Sequence, residues 1–309
     1  GCLHKYVITD AINDENVLRF GIEYVGRFKQ KGNSLIDIEV EDIDKAEAMN
    51  DPNRLEKIVD YIIERHDQKT HNRQYSALFA VSSIDTLIKY YDLFQQKKEQ
   101  GVHDLRIATI FTYGANEDDL GANDSLPADD EFGLAAEPSV HWKSAHSRDK
   151  LEEYIGHYNK MFSTSYSTKD GKLFQEYYKN ISKRLKDREK ENFQDKDRLD
   201  IVLVVSMLLT GFDAKKVNTL YVDKNLRYHG LIQAFSRTNR TLGQVKSQGN
   251  ILCFRNLKER TDEAIALFSN KDAKEVIFVP DYDRVTKEFN DTYLDLLKLV
   301  PTVGSVDDL

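Results

Sequence analysis

Apolar residues recur along this chain in two alternating rhythms. Leu55, Ile58, Val59, Ile62 and Ile63 stand at i, i+3, i+4, i+7 and i+8, the stripe of an amphipathic helix. "SALFAV" (Ser76 to Val81) is a short apolar run of strand length. Ser82 is placed to cap the next helix, whose inward stripe is Ile84, Leu87, Ile88, Tyr91 and Phe94. "LRIATIF" (Leu105 to Phe111) predicts a further strand. Apolar strands alternating with helices predict a parallel α/β unit. Ahead of it, Thr9 and Asp10 predict the cap of a short helix from Asp10 to Asn16, and "VLRFGIEYV" alternates as a strand.

The rhythm then breaks. Asn116 to Pro138 is acidic, with Gly, Asn and two prolines, and predicts a loop or insert. Two helices follow, one with Leu151, Tyr154, Ile155, Tyr158 and Phe162 on a face, the other from Leu173 to Lys190. "DREKENFQDKDR" is a charged connector. The α/β pattern resumes at "DIVLVVSMLLTGFD", read as a strand running to Leu209 and ending in the turn Thr210 to Asp213. A strand "TLYVD", a helix from Gly230 to Arg240, a strand "GNILCFR" and a helical tail with Val285, Phe289 and Leu296 complete the expectation. The organisation expected is a lead-in over 1–54, lobe halves at 55–113 and 200–257, an acidic and helical insert at 114–199, and a C-terminal extension at 258–309. No internal repeat is visible.

Composition narrows the function classes. Forty per cent apolar residues can supply a core, and a net charge of -8 argues against a protein that coats nucleic acid indiscriminately. The charge is uneven, however. Ile107 to Trp142 holds eight Asp or Glu and no Lys or Arg, so the remainder is close to neutral and leaves room for a local basic groove. Cys2 and Cys253 make neither a disulfide framework nor a metal site by spacing, and a reducing cytoplasm is the expected compartment. The longest apolar run, Ile201 to Leu209, is about half of what a membrane span needs. No signal peptide is visible, and a start at Gly1 rather than Met reads as a piece of a larger protein.

Chemistry concentrates in "LLTGFDAKKVNTLYVDKNLRYHGLIQAFSRTNR", Leu208 to Arg240, which has six Lys or Arg and two Asp. Ligands of open α/β sheets sit beyond the carboxyl ends of strands, where Gly211 would admit a close backbone approach and Asp213 would accept from a hydroxyl. A plain glycine turn with a solvated Asp is equally open. Gln233, Arg237 and Arg240, at i, i+4 and i+7, would share one helix face. Two guanidinium groups there suit a phosphate, although a solvated face paired with local carboxylates gives the same spacing. His229 reads as a packing or hydrogen-bonding residue beside the helix start.

A strand ending in Thr-Gly-x-Asp, another strand, then Gln-x-x-x-Arg-x-x-Arg resembles motifs V and VI of superfamily two helicases. The run "VDKNLRYHGLIQAFSRTNR" is more specific still and resembles the R (restriction and motor) subunit of type I restriction-modification enzymes. "HKYVITDAINDENVLRF" and "EEYIGHYNKMF" also resemble that subunit, so the likeness spans most of the chain.

The resemblance implies a second RecA-like motor lobe in an ATP-driven DNA translocase that also carries a nuclease domain. By position, Gly211 and Asp213 would approach nucleotide sugar and phosphates, and Gln233 would help position nucleotide or water. Arg237 and Arg240 would act on the β- and γ-phosphates, where an arginine finger gives on the order of three to five powers of ten in rate. Ser236 stands where many helicases have Gly. Thr210 would couple the nucleotide site to DNA. "VSS" and "TYG" offer Ser82, Ser83 and Thr112 as phosphate contacts, with helix capping and turn formation as the competing explanation. ATP and Mg2+ would be held mainly by a first lobe, because no Gly-x-x-x-x-Gly-Lys-Ser/Thr, no Asp/Glu box and no nuclease constellation occurs here. Implied partners are double-stranded DNA, the modification and specificity subunits, and the first lobe of the parent chain, with no membrane and no metal ligands of its own. The alternatives are a lobe of another superfamily two helicase or remodeller, and a noncatalytic DNA- or protein-binding module.

Overall fold

Strands that are apolar on both faces must be covered on both, and this chain covers them with helices. The computed structural model describes residues 7–25, 49–111, 145–243, 245–268, 276–280 and 282–300. Its elements are α1 (Ile8–Asn13), β1 (Phe20–Tyr24), α2 (Pro52–Lys69), β2 (Ser76–Val81), α3 (Ile84–Glu99), β3 (Ile107–Ile110), α4 (Ala145–Phe162) and α5 (Gly171–Asp187). After a short 3-10 turn at Asp195–Asp197 come β4 (Ile201–Val204), β5 (Val217–Asp223), α6 (Tyr228–Phe235), β6 (Gly249–Cys253), α7 (Lys258–Phe268) and α8 (Tyr282–Leu299).

The six strands form one sheet in the order β1-β6-β5-β2-β4-β3, and every pairing is parallel. β2 is central, its Ala77 to Ala80 matched with Ile201 to Val204 on one side and Thr219 to Val222 on the other. This is the α/β parallel sheet with flanking helices that the alternation predicts, and it is consistent with the RecA-like fold that the resemblance implies. β1, from the lead-in segment, joins the sheet edge beside β6.

The inward stripes behave as read. Leu55, Ile58, Val59 and Ile62 of α2 are buried, and so are Ile84, Leu87, Ile88, Tyr91 and Phe94 of α3. The insert helices α4 and α5 complete this layer with aromatic contacts. Tyr91 and Tyr154 pack with tilted rings, centroids 4.0 Å apart, and the Tyr177 hydroxyl donates to the Thr109 carbonyl at 2.7 Å.

Several boundaries differ from the expectation. α1 starts at Ile8, because the Asp10 carboxylate accepts from the Val7 N–H at 2.9 Å and so closes the first turn from inside. Ser83 rather than Ser82 caps α3, its hydroxyl accepting from the Thr86 N–H at 3.1 Å. β4 stops at Val204, not Leu209. Thr112 and the acidic stretch 116–138 lie outside the described residues. No described helix is long and apolar enough to cross a membrane.

Candidate functional site

The expected helix from Gly230 to Arg240 ends at Phe235, and local hydrogen bonding explains the early stop. The Ser236 hydroxyl donates to the Ile232 carbonyl at 2.7 Å, and the Thr238 hydroxyl donates to the Phe235 carbonyl at 2.8 Å. These short polar side chains satisfy carbonyls at the helix end. The backbone tightens into three-residue turns, with Arg237 N–H to Ala234 O at 3.1 Å and Thr238 N–H to Phe235 O at 3.0 Å. Beyond them the chain is drawn towards the start of β1, where the Leu18 N–H donates to the Asn239 carbonyl at 2.7 Å. Gln233 is therefore on the helix, while Arg237 and Arg240 are in the turn after it. The single helical face expected for the three is not formed.

A second correction concerns the Thr-Gly-x-Asp turn. Residues 205–216 carry the chain from the carboxyl end of β4 past β2 to the amino end of β5. They do so without a helix, held by buried Leu208, Leu209, Phe212 and Ala214. Leu208 and Gly211 both take left-handed backbone angles, φ 64° and 66°, of which only the second is free of a side-chain penalty. Asp213 thus stands near the amino edge of the sheet, not beyond the carboxyl end of β4. Arg240 is at that same edge, bridged to Val17 ahead of β1.

The two segments meet there. Arg237 donates to the Phe212 carbonyl through Nη1 and to the Gln233 carbonyl through Nε at 3.0 Å. Arg240 Nε lies 3.1 Å from Asp213 Oδ1, an ion pair whose angle is not that of a hydrogen bond. Lys246, in the turn before β6, donates from Nζ to the carbonyls of Lys215 and Val217, both at 2.9 Å. Three cations between 237 and 246 thus clasp the stretch 212–217 at successive points. Gly249 lets this turn lie against β6, since a Cβ there would come within 2.3 Å of the Thr238 hydroxyl oxygen.

Exposure separates the clasp members. Arg237 is 9% exposed, whereas the side chains of Arg240 and Asp213 are 38% and 59% exposed. Gly211 and Gln233 are also exposed. An exposed ion pair contributes about 0–1 kcal/mol, whereas a buried charge-assisted hydrogen bond contributes about 1.5–3 kcal/mol. Arg240 is therefore exchangeable and Arg237 is anchored. Arg237 and Arg240 against the single Asp213 carboxylate leave a positive excess, which suits phosphate oxygens. The described residues bring together no group of three metal-ligating side chains.

Ser82 and Ser83 sit at the opposite, carboxyl edge, with the length of β5 between the two edges: seven residues, or roughly 20 Å. Ser82 is buried and its hydroxyl reaches the Thr86 hydroxyl at 3.4 Å; the Thr86 hydroxyl in turn donates to Asn50 Oδ1 at 2.8 Å. Thr210 is buried in the crossover. His229 is exposed at the start of α6.

Sequence reading did not single out two features of this frame. One is Lys246, which looks like any lysine in a polar turn. The other is Asp223, fully buried at the end of β5. It accepts from Arg54 at 3.0 and 2.6 Å, from the Tyr90 hydroxyl at 2.6 Å and from Arg255 at 3.1 Å. Burial opposes its ionisation, but the two guanidinium groups and the phenol outweigh that and hold the carboxyl below its ordinary range. Its only sequence signal was a charged residue closing an apolar strand.

A family profile described as Type I restriction enzyme subunit R domain 3 matches residues 73–256, more than half of the chain. A type I restriction enzyme endonuclease subunit of Staphylococcus aureus (strain COL) is 43% identical over 309 residues, covering 100% of this chain and 30% of the relative. Another such subunit, from Staphylococcus saprophyticus, is 43% identical over 297 residues, 96% of this chain and 29% of its own length. A putative endonuclease subunit from Methanocaldococcus jannaschii is 26% identical over 241 residues, 77% of this chain and 21% of the relative. The chain thus spans less than a third of the curated relatives it matches.

Proposed function

The chain belongs to the family of type I restriction enzyme R subunits, and from that premise we propose that it is the second motor lobe of such a subunit. It contributes arginines and DNA contacts to ATP-driven translocation of double-stranded DNA, the step that precedes cleavage. ATP and Mg2+ are held mainly by a first lobe in the parent chain, which also supplies the phosphate-cradling loop and the Asp/Glu box. Gly211, Asp213 and Gln233 line this lobe's side of the nucleotide. Arg240 reaches the β- and γ-phosphates as the finger, and the buried Arg237 holds the turn that presents it. When bound, the nucleotide supplies the phosphoryl group whose transfer drives the motor.

The observation that carries this reading is the meeting of the two motif segments at one edge, through Arg237 with Phe212 and Arg240 with Asp213. Residues 25 or more apart in sequence come together there around an excess of positive charge that suits an anion. Ser83 at the far edge and Thr112 take DNA phosphates, whereas the hydroxyl of the buried Ser82 is turned to Thr86. The buried Thr210 fits a coupling role better than a direct contact. Such contacts carry no sequence information, as a translocase requires, and make DNA binding salt-sensitive. The modification and specificity subunits are the partners that choose the site, in the cytoplasm.

That this lobe supplies only part of the catalytic site has a direct test in the 309-residue chain alone. It is expected to turn over no ATP above background, with or without DNA. Robust turnover abolished by a substitution within this chain would overturn the reading.

A further inference from the structure

Lys246 is 3% exposed, an uncommon place for an amine. Its Nζ donates to the carbonyls of Lys215 and Val217, both at 2.9 Å, which are the residues that return the crossover to the start of β5. Asp213 lies two residues before the first of these, and the Arg237 tether on Phe212 lies one residue further back. The loop that presents Asp213 is therefore fixed at both ends, by an arginine on one side and by this lysine on the other. The Asp213–Arg240 pair spans the gap between those anchors.

We propose that Lys246 is a positioning residue for the phosphate-facing Arg240: it pins the crossover behind Asp213, and its charge draws on the Asp213 carboxylate so that Arg240 can be given up to phosphate. The inference rests on the motor reading above.

The charged groups facing Lys246 are Asp213 from the crossover, Arg240 from the turn after α6, and Lys216 ahead of β5. Burial pushes its amine down to about 7, with Arg240 and Lys216 acting in the same direction and Asp213 against it. Below that pH the charge on the ammonium repels Arg240 and attracts Asp213, which loosens their pair. Above it the neutral amine still donates to two carbonyls but exerts no such field, so Asp213 holds Arg240 more firmly. Turnover should therefore fall as pH rises through about 7.

The test uses the full-length R subunit assembled with its modification and specificity subunits, with DNA-stimulated ATP hydrolysis followed between about pH 6 and 9. Lys246→Gln keeps donors for the carbonyls without the charge. It should hold kcat at the alkaline level of the parent across the range, with the inflection gone. Lys246→Met loses pins and charge together and should lose kcat by about ten- to a hundredfold with little change in KM, the size of effect a small misplacement causes. If Lys246→Met does not fold, Lys246→Gln alone decides. Wild-type kcat with the inflection retained overturns the inference, and so does failure of both variants to fold, which would make the lysine merely structural. Arg240→Ala separates the two levels. If it leaves turnover intact, the motor reading itself fails; if it slows turnover while the Lys246 variants stay wild-type, only this inference fails.

Discussion

Arg240 Nε stands 3.1 Å from Asp213 Oδ1 in a pair open to solvent, while three residues earlier Arg237 is buried and tied to the Phe212 carbonyl. Two arginines that the sequence presents as equivalent thus have different physical situations. The exposed one can change partners at low cost. The buried one holds two chain segments together, and losing it would strand a buried carbonyl.

That difference predicts unequal stability effects in this chain. Arg237→Ala should destabilise it by about 1–3 kcal/mol, the cost of unsatisfied buried groups. Arg240→Ala should stay within about 1 kcal/mol, as for exposed ion pairs. Urea denaturation of both variants checks this, and equal losses would contradict the division of roles.

Asp223 is expected to be the most sensitive position at the opposite edge. Its carboxylate joins Arg54 from α2, Tyr90 from α3 and Arg255 after β6. Asp223→Ala leaves buried guanidinium charge uncompensated and should cost about 3–5 kcal/mol. A denaturation midpoint close to that of the parent would show that the cluster is dispensable.

His66 predicts an acid-sensitive fold. Its ring is buried beside Tyr221, with Nδ1 3.2 Å from the hydroxyl, and burial lowers its pKa from 6.5 to about 3. Between those values the unfolded chain binds a proton that the folded chain does not. Stability should therefore fall as pH drops below 6.5, by about 1.4 kcal/mol per unit from this site. His66→Leu should remove that slope above about pH 5, before most carboxylates titrate. An unchanged slope in stability measured against pH would place the proton uptake elsewhere.

The sheet was readable because its strands are apolar throughout and its helices carry regular stripes. "SALFAV" is β2 as printed in the sequence, and the α2 and α3 stripes are buried position by position, apart from a half-buried Ile63. The site was readable in its residue types but not in its geometry. A helix ending at Phe235 depends on the Ser236 and Thr238 hydroxyls turning back on carbonyls, and the periodicity of Gln233, Arg237 and Arg240 carries no sign of that. The crossover was misplaced for a related reason: Val205 to Leu209 is as apolar as a strand, yet these residues cover the core on the way back to the amino edge. Lys246 was invisible because a buried lysine and a solvated one have the same letter.

Arg240→Ala in the full-length R subunit, assayed for DNA-stimulated ATP turnover with nucleotide affinity measured in parallel, tests the motor-lobe assignment most directly. A role in the transition state predicts at least about a hundredfold loss of turnover with affinity much less affected. Wild-type turnover, or equal losses in binding and turnover, would contradict it.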